Sequence, residues 1–220
     1  RVSEANLADA ARTCNEIRSL MGEVFGLQGA VPSGIPGTGV FDLCLAGTAQ
    51  SKADFAADIR RLLARAKAEH REARTPRIVV AGGLNCERHV VAEIERAGAG
   101  VVALDTCIGL RHYEECVEEA PDQIAALARR YLTRRTCARM EGLEQRIQSM
   151  KQLADETKAD GVVYCSLKFC DPCLYDAPAI SRVFREQGVP FLWLEDDYGA
   201  SSLGQTRTRL EAFLELIEQG

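Results

Sequence analysis

The chain has 220 residues, of which 46% are hydrophobic and 27% are charged, as in a typical globular protein. Its net charge of −5 and the lack of a Lys/Arg block argue against a nucleic-acid surface. No apolar run approaches the roughly 18 residues that a membrane helix needs, and the opening segment RVSEANLADA is unlike an export signal. We therefore predict a cytoplasmic protein with no nucleic-acid or membrane partner.

Nine cysteines are many for a chain of this length. Because the number is odd and no export signal is visible, a disulfide framework is not expected. Reduced thiols then serve core packing, redox chemistry or metal binding. We predict core packing for Cys14, on the apolar stripe of the first helix, and for Cys44, within VFDLCLA.

The first third of the chain has helical patterns and no strand pattern. Residues 3–26 have the spacing of an amphipathic helix with Ser3 as its N-cap, and the Gly- and Pro-rich segment 27–39 predicts a connection. Ser51 and Asp54 match a capping box at the start of a second helix that runs to about residue 70. We predict that residues 1–75 form a helical connector or docking region.

From residue 77 onwards, apolar runs alternate with helical patterns. The predicted strands are RIVVAGG, GVVALD, DGVVYCS and VPFLWLE. The predicted helices are ERHVVAEIERAGA, a region over about 113–158 that is interrupted near TRRTCARM, APAISRVFREQG, and GQTRTRLEAFLELIEQ. Runs that are apolar throughout are typical of parallel strands buried on both faces. We predict that residues 76–220 form an α/β domain with a doubly wound, four-stranded, mainly parallel sheet of the flavodoxin-like kind.

Cysteines and carboxylates follow the predicted strands at the same edge of the sheet. In such sheets ligands bind beyond the carboxyl ends of the strands, and the residues placed there are Cys86, Cys107, Cys165, Cys170, Cys173, Glu195, Asp196 and Asp197. By contrast, we interpret Cys116 and Cys137 as packing residues. We expect Asp171 and Pro172 to fix an extended turn that aims Cys170 inward.

The spacing of these cysteines leaves four uses open: an iron–sulfur cluster, a zinc site, a redox-active dithiol, or packing. CDPC supplies one zinc-type pair without a second pair, and it also resembles a thioredoxin-type dithiol. Gly82 and Gly83 lack the spacing of a nucleotide-binding loop, and we interpret them as a tight turn between strand and helix.

The C-terminal half resembles the 2-hydroxyacyl-CoA dehydratase and benzoyl-CoA reductase subunit family. The resemblance depends on DGVV, LKFCDP, GVPFLWLE and GQ followed by TRLEAFLE, with AGAGVVALDTCIG and ARRYLTRRTCARM upstream. It covers about residues 76–220 well and the front third loosely, through CNEIRSLMGEVFGL.

The resemblance implies an oxygen-sensitive enzyme of anaerobic metabolism that pairs two related subunits. Each subunit holds a [4Fe–4S] cluster with three cysteines, and an ATP-hydrolysing iron–sulfur activator delivers one electron. An acyl-CoA thioester then becomes a ketyl radical anion, which enables either dehydration of a 2-hydroxyacyl-CoA or reduction of an aromatic ring. Cys170 matches the ligand of the family's C-terminal domain.

The family's other two cluster ligands come from an N-terminal α/β domain, so the chain resembles the C-terminal part of such a subunit. We expect Cys107, or else Cys86, Cys165 or Cys173, to substitute if the chain holds a cluster by itself. The extra cysteines also fit a related branch of reductases with a double-cubane cluster. An alternative of another class is a non-catalytic assembly module, which would dock through the helices at 3–26 and 52–70.

Three cations are candidates for stabilising the negative charge that develops on the thioester oxygen: Arg111, Lys168 and Arg207. We interpret each of them first as a surface or helix-capping charge, because such side chains are usually solvated. Arg111 and His112, which follow Cys107, would then lie in a solvated loop or face an anionic group.

Overall fold

Four parallel strands form the centre of the protein. The computed structural model describes residues 3–30, 34–68, 75–83, 88–196 and 203–219. The strands are β1 (Arg77–Gly82), β2 (Gly100–Asp105), β3 (Gly161–Leu167) and β4 (Phe191–Asp196). They lie in the order β2-β1-β3-β4, and every neighbouring pair is parallel. This order matches the first four strands of a flavodoxin-like sheet, and it confirms the predicted fold class.

Helices cover both faces of the sheet. Their bounds are α1 (Glu4–Gly29), α2 (Gly37–Ala46), α3 (Lys52–Ala68), α4 (Arg88–Arg96), α5 (Leu110–Tyr113), α6 (Gln123–Thr133), α7 (Leu143–Glu156), α8 (Asp171–Glu186) and α9 (Leu203–Gln219). Helices α1 to α5 and α9 share an apolar core with one face, whereas α7 and α8 pack on the other face. The sheet is therefore buried on both sides, which explains the uninterrupted apolar runs of its strands.

Side chains of β1 alternate between the two faces, as the pleat of a strand requires. Ile78 and Val80 belong to the first core, while Val79 and Ala81 belong to the second. A register irregularity opposite Ile78 and Val79 places Val102 and Ala103, which are consecutive in β2, on the same face.

The predicted helix starts in the first third of the chain are confirmed. The Ser3 side chain accepts a hydrogen bond from Asn6 N and caps α1. Ser51 Oγ accepts from Asp54 N and donates to the Asp54 carboxylate, so the capping box begins α3.

Helix α2 was not predicted, because its glycines and the preceding prolines favoured a connection. Its first turn is capped by a residue that is distant in sequence. The Glu95 carboxylate accepts hydrogen bonds from Gly37 N at 2.7 Å and from Thr38 Oγ1 at 2.7 Å. A Cβ at Gly37 would lie 2.6 Å from the Val101 side chain, so glycine lets α2 approach β2 closely. The cap and the close approach both depend on residues that are far from α2 in the sequence, so the local sequence does not indicate this helix.

Two other boundaries differ from the predictions. Residues 114–122 are not helical, although the predicted helical region began near residue 113. Helix α8 begins at Asp171, six residues earlier than predicted, so Asp171 is helical and not extended. Pro172 fits there because the first turn of a helix does not need its missing N–H.

Helices α1 to α3 are packed directly on the sheet domain. Met21 of α1, Phe55 of α3 and Val80 of β1 belong to one apolar cluster and have almost no exposed surface. The division into a connector at 1–75 and a domain at 76–220 stays a prediction. Within the residues that the structure describes, no helix is both long enough and apolar enough to span a membrane.

Candidate functional site

A cavity of about 380 Å³ opens at the carboxyl ends of the strands, beside the point where the strand order switches between β1 and β3. Four cysteines line it: Cys107, Cys137, Cys170 and Cys173. Cys107 follows β2, and Cys170 follows β3, as predicted from the sequence. The position agrees with the general location of ligand sites in open α/β sheets.

Gly82 forms part of the cavity floor, at the end of β1. Its φ of +129° is unfavourable for other residues, and a Cβ there would lie 2.0 Å from Cys165 O. Only glycine allows β1 and β3 to approach this closely. The predicted tight turn between strand and helix stays a prediction, because residues 84–87 lie outside the described residues.

Two of the other predicted edge residues that the structure describes, Cys165 and Glu195, do not line the cavity. Cys165 is 2% exposed and packs in the core on the opposite face of the sheet, so its assignment to the edge was wrong. Glu195 is exposed at the end of β4, which Asp196 completes. Cys86 and Asp197 lie outside the described residues.

Cys170 and Cys173 lie at the amino end of α8. Cys170 is the N-cap residue, and its N–H donates to Leu167 O at 3.0 Å. The partial positive charge of a helix amino end favours thiolates. Burial, followed by the neighbouring Cys170, raises the pKa of Cys173 to about 11. In a C-x-x-C pair the first thiol is the nucleophile, so the raised pKa of the second thiol, Cys173, leaves both the redox-dithiol and the cluster alternatives open.

Cys137 was predicted to be a packing residue, but it lies in the wall of the cavity. It belongs to the connection between α6 and α7, which the part-buried Arg146 organises. Arg146 donates to Cys137 O at 3.1 Å and to Met140 O at 2.7 Å, and it forms an ion pair with Asp176 at 2.8 Å. Sequence spacing gave no signal, because Cys137 does not follow a strand. Cys116 is exposed, so the packing interpretation was wrong there as well.

Arg111 is buried and lines the cavity, so its interpretation as a surface or capping charge was wrong. It donates to Asp105 O at 2.7 Å and to Gly82 O, and its Nε lies 3.0 Å from Asp105 Oδ1. The two other candidates lie elsewhere. Lys168 is exposed, and Arg207 pairs with Glu93 at the surface between α4 and α9.

Among the four arginines of the cavity, Arg139 has a different environment. Arg111, Arg135 and Arg146 form ion pairs with Asp105, Glu114 and Asp176, respectively. Arg139 is exposed, and it forms no hydrogen bond or ion pair with any residue that the structure describes. Its guanidinium is therefore available to an anionic ligand.

The thiols of this cavity are the side chains that would hold a thiolate-bound cofactor. Within the described ranges, no three Cys, His, Asp or Glu side chains stand close enough to bind one ion. A cluster contains several iron atoms, so its thiolates do not converge on one point. Four thiols around one cavity and a buried guanidinium beside them match an anionic, thiolate-bound group.

Similarity to known proteins extends over nearly the whole chain. The family model described as "2-hydroxyglutaryl-CoA dehydratase, D-component" matches residues 1–217. The chain is 30% identical to a provisionally named dehydratase subunit, YjiM, of Escherichia coli (strain K12), over 98% of this chain. It is 25% identical to the (R)-phenyllactyl-CoA dehydratase beta subunit of Clostridium sporogenes, over 99% of this chain. It is 24% identical to a benzoyl-CoA reductase subunit of Thauera aromatica, also over 99%.

In each of these alignments the chain spans 58% of the length of the relative. The family model, in contrast, covers nearly the whole chain. The resemblance inferred from LKFCDP and the neighbouring motifs is thus confirmed, and the chain belongs to the 2-hydroxyglutaryl-CoA dehydratase D-component family.

Proposed function

We propose that this chain is the cluster-binding part of an enzyme subunit that acts on acyl-CoA thioesters by one-electron chemistry. The reaction is either the dehydration of a 2-hydroxyacyl-CoA or the reduction of an aromatic acyl-CoA. The observation that carries this proposal is the group of four thiols around one cavity at the carboxyl edge of the sheet. The names of the relatives, a phenyllactyl-CoA dehydratase subunit and a benzoyl-CoA reductase subunit, support both reactions.

Cys170 and Cys107 are the ligands that we assign first, with Cys137 and Cys173 within the same cavity. A bound [4Fe–4S] cluster supplies single electrons at low potential, which is the chemistry needed to form a ketyl radical anion from a thioester. We further propose that an ATP-hydrolysing activator and a related second subunit are partners.

The remaining cavity residues have separate roles in this proposal. Arg146 and Arg135 hold the connection that carries Cys137, through bonds to Met140 O and Ser149 O. Arg139 binds an anionic group of the substrate, and the phosphates of coenzyme A are the matching chemistry.

Anaerobic reconstitution of the full-length polypeptide with iron and sulfide tests this function. We expect a broad brown absorbance, iron bound to each subunit, and a paramagnetic signal after reduction. A protein that stays colourless and free of iron would contradict the proposal.

Cys170→Ser tests the main ligand. A loop hydroxyl replaces a loop thiol without opening a core cavity, so we expect bound iron to fall severely while the melting temperature stays near that of the wild type. Cys116→Ser is the matched control, because Cys116 is exposed and lies outside the cavity. Full iron content in the Cys170→Ser variant would remove this residue from the site.

Assembly with the related subunit is favoured by a separate surface on α6. Ile124, Tyr131 and Leu132 lie on one side of this helix and are 67%, 49% and 73% exposed. Exposed apolar residues that follow the helical repeat are typical of a contact surface. In co-purification with the related second subunit, Leu132→Glu should weaken the complex and leave iron binding intact, whereas an unchanged complex would exclude this surface.

A further inference from the structure

The fold holds Arg111 in the lining of the cavity that contains the four thiols. This residue lies in the short helix α5, directly after the Cys107 loop, and only 8% of its surface is exposed. Its guanidinium bonds to Gly82 O and Asp105 O, so the ends of β1 and β2 fix its position. The charge therefore cannot swing into solvent as a surface arginine does.

Asp105 compensates the positive charge of Arg111 only in part. Arg111 Nε and Asp105 Oδ1 are 3.0 Å apart, but each lacks a well-directed hydrogen bond. Burial lowers the pKa of Arg111, yet Asp105, Cys107, Cys137 and Tyr164 together raise it above the usual value. A guanidinium remains protonated at every physiological pH, so the cavity that the thiols line contains a permanent cation.

The other arginines of the cavity differ from Arg111 in their exposure and in how their charge is compensated. Arg135 makes two bonds to the Glu114 carboxylate, at 2.8 and 3.1 Å, and Arg139 is exposed to solvent. Arg146 Nε pairs with Asp176, and Arg146 Nη1 donates to the backbone oxygens of Cys137 and Met140. Arg111 lines the same cavity as Cys107 and Cys137, is buried, and has its position fixed by bonds to backbone oxygens.

We propose that Arg111 sets the reduction potential of the iron–sulfur cluster in this cavity, as a fixed, buried positive charge. This inference rests on the proposed function. Reduction adds one electron from the donor and makes the cluster more negative, without forming or breaking a bond at Arg111. A cation in a medium of low dielectric stabilises the reduced form more than the oxidised form, so its presence raises the potential.

Redox titration of the reconstituted full-length protein, followed by electron paramagnetic resonance, measures this effect. We expect Arg111→Met to shift the midpoint potential to more negative values, and Arg111→Lys, which keeps the charge, to restore most of the shift. Asp105→Asn removes the nearest opposing charge and should shift the potential the other way. This variant keeps the test valid if Arg111→Met does not fold.

Arg77→Met is the matched control. Arg77 is also buried and bonds to the backbone oxygens of Gly29, Ala30 and Thr157, but it lies at the opposite end of β1. We expect a lower melting temperature and an unchanged potential. If the wild-type protein binds no iron, the proposed function itself fails. If it binds iron, but neither Arg111→Met nor Asp105→Asn moves the potential, the role of Arg111 is overturned and the function stands.

Discussion

Cys44 is a thiol with no access to solvent. It lies in the core between α2 and the sheet and is 1% exposed. Burial raises its pKa from 9.0 to about 12. In the unfolded chain the same thiol loses its proton near pH 9, so the folded and unfolded states bind different numbers of protons between the two values.

The free energy of unfolding should therefore fall as the pH rises from about 9 towards 12, because the unfolded state is stabilised first by ionisation. One such group contributes at most about 1.4 kcal/mol for each pH unit. Denaturant titrations at about pH 8 and about pH 10.5 measure the loss. Cys44→Ala should lose less stability between these two values than the wild type, and equal losses would show that Cys44 does not titrate in this way.

Arg139 is the residue that we expect to control substrate affinity. Arg139→Gln removes a guanidinium that no described residue neutralises, so binding of an acyl-CoA should weaken by about tenfold, a typical effect for one charge-assisted contact. Isothermal titration with the reconstituted protein measures it. Iron content should not change, and undiminished affinity would contradict the assignment to coenzyme A phosphates.

At the residue scale, the sequence identified the cysteines that follow strands and missed those placed by loops. Cys107 and Cys170 were predictable because the ends of parallel strands meet at one edge. Cys137 reaches the same cavity through Arg146, whose partners are backbone oxygens and Asp176. Such contacts leave no repeating pattern in the sequence. The burial of Arg111 leaves none either.

Arg146 makes the connection between α6 and α7 a defined element of the site. Its ion pair with Asp176 is almost inaccessible, with side-chain exposures of 10% and 11%. Removing one partner of a buried pair leaves the other charge without compensation.

Arg146→Met should therefore lower the free energy of unfolding by about 3 to 5 kcal/mol. It should also make Cys137 react faster with an alkylating reagent in the cluster-free protein. Arg129→Met is the comparison, because the Arg129–Glu118 pair is more than half exposed and is worth at most about 1 kcal/mol. Similar losses for the two variants would show that Arg146 does not hold the connection.

Strands were easier to predict than helix boundaries, and the reason is where the stabilising contacts come from. A strand buried on both faces has an apolar run that can be identified without its neighbours, as in β1, β2 and β3. Helix α2 depends on the Glu95 cap and on the close approach of Gly37 to Val101. These contacts exist only after α4 and β2 are in place.

For the whole molecule, the front helices and the sheet share one apolar core. Ile17, Val24 and Ile59 of the helices pack in the same cluster as Ile78 and Val101 of the strands. Arg77 adds polar contacts, because it bonds to the last turn of α1 and to the end of α7.

A fragment of residues 76–220 should consequently fail to unfold cooperatively. Removing α1 to α3 uncovers one face of the sheet, and an exposed apolar face of this kind binds hydrophobic dyes. Calorimetry and dye fluorescence of the fragment, beside the intact chain, test this expectation. A sharp thermal transition in the fragment would instead support the predicted division at residue 75.

The strand order has a consequence for the maturation of the protein in the cell. Cys107 and Cys170 follow β2 and β3, which are separated in the sheet by β1, so these thiols meet only after three strands have paired. A nascent chain therefore presents the adjacent pair Cys170 and Cys173 but not the full set. In zinc fingers, metal uptake and folding are one event. Under the proposed function, metal delivery here is a late step that acts on an already folded chain, and iron starvation would lead to folded protein awaiting its cofactor.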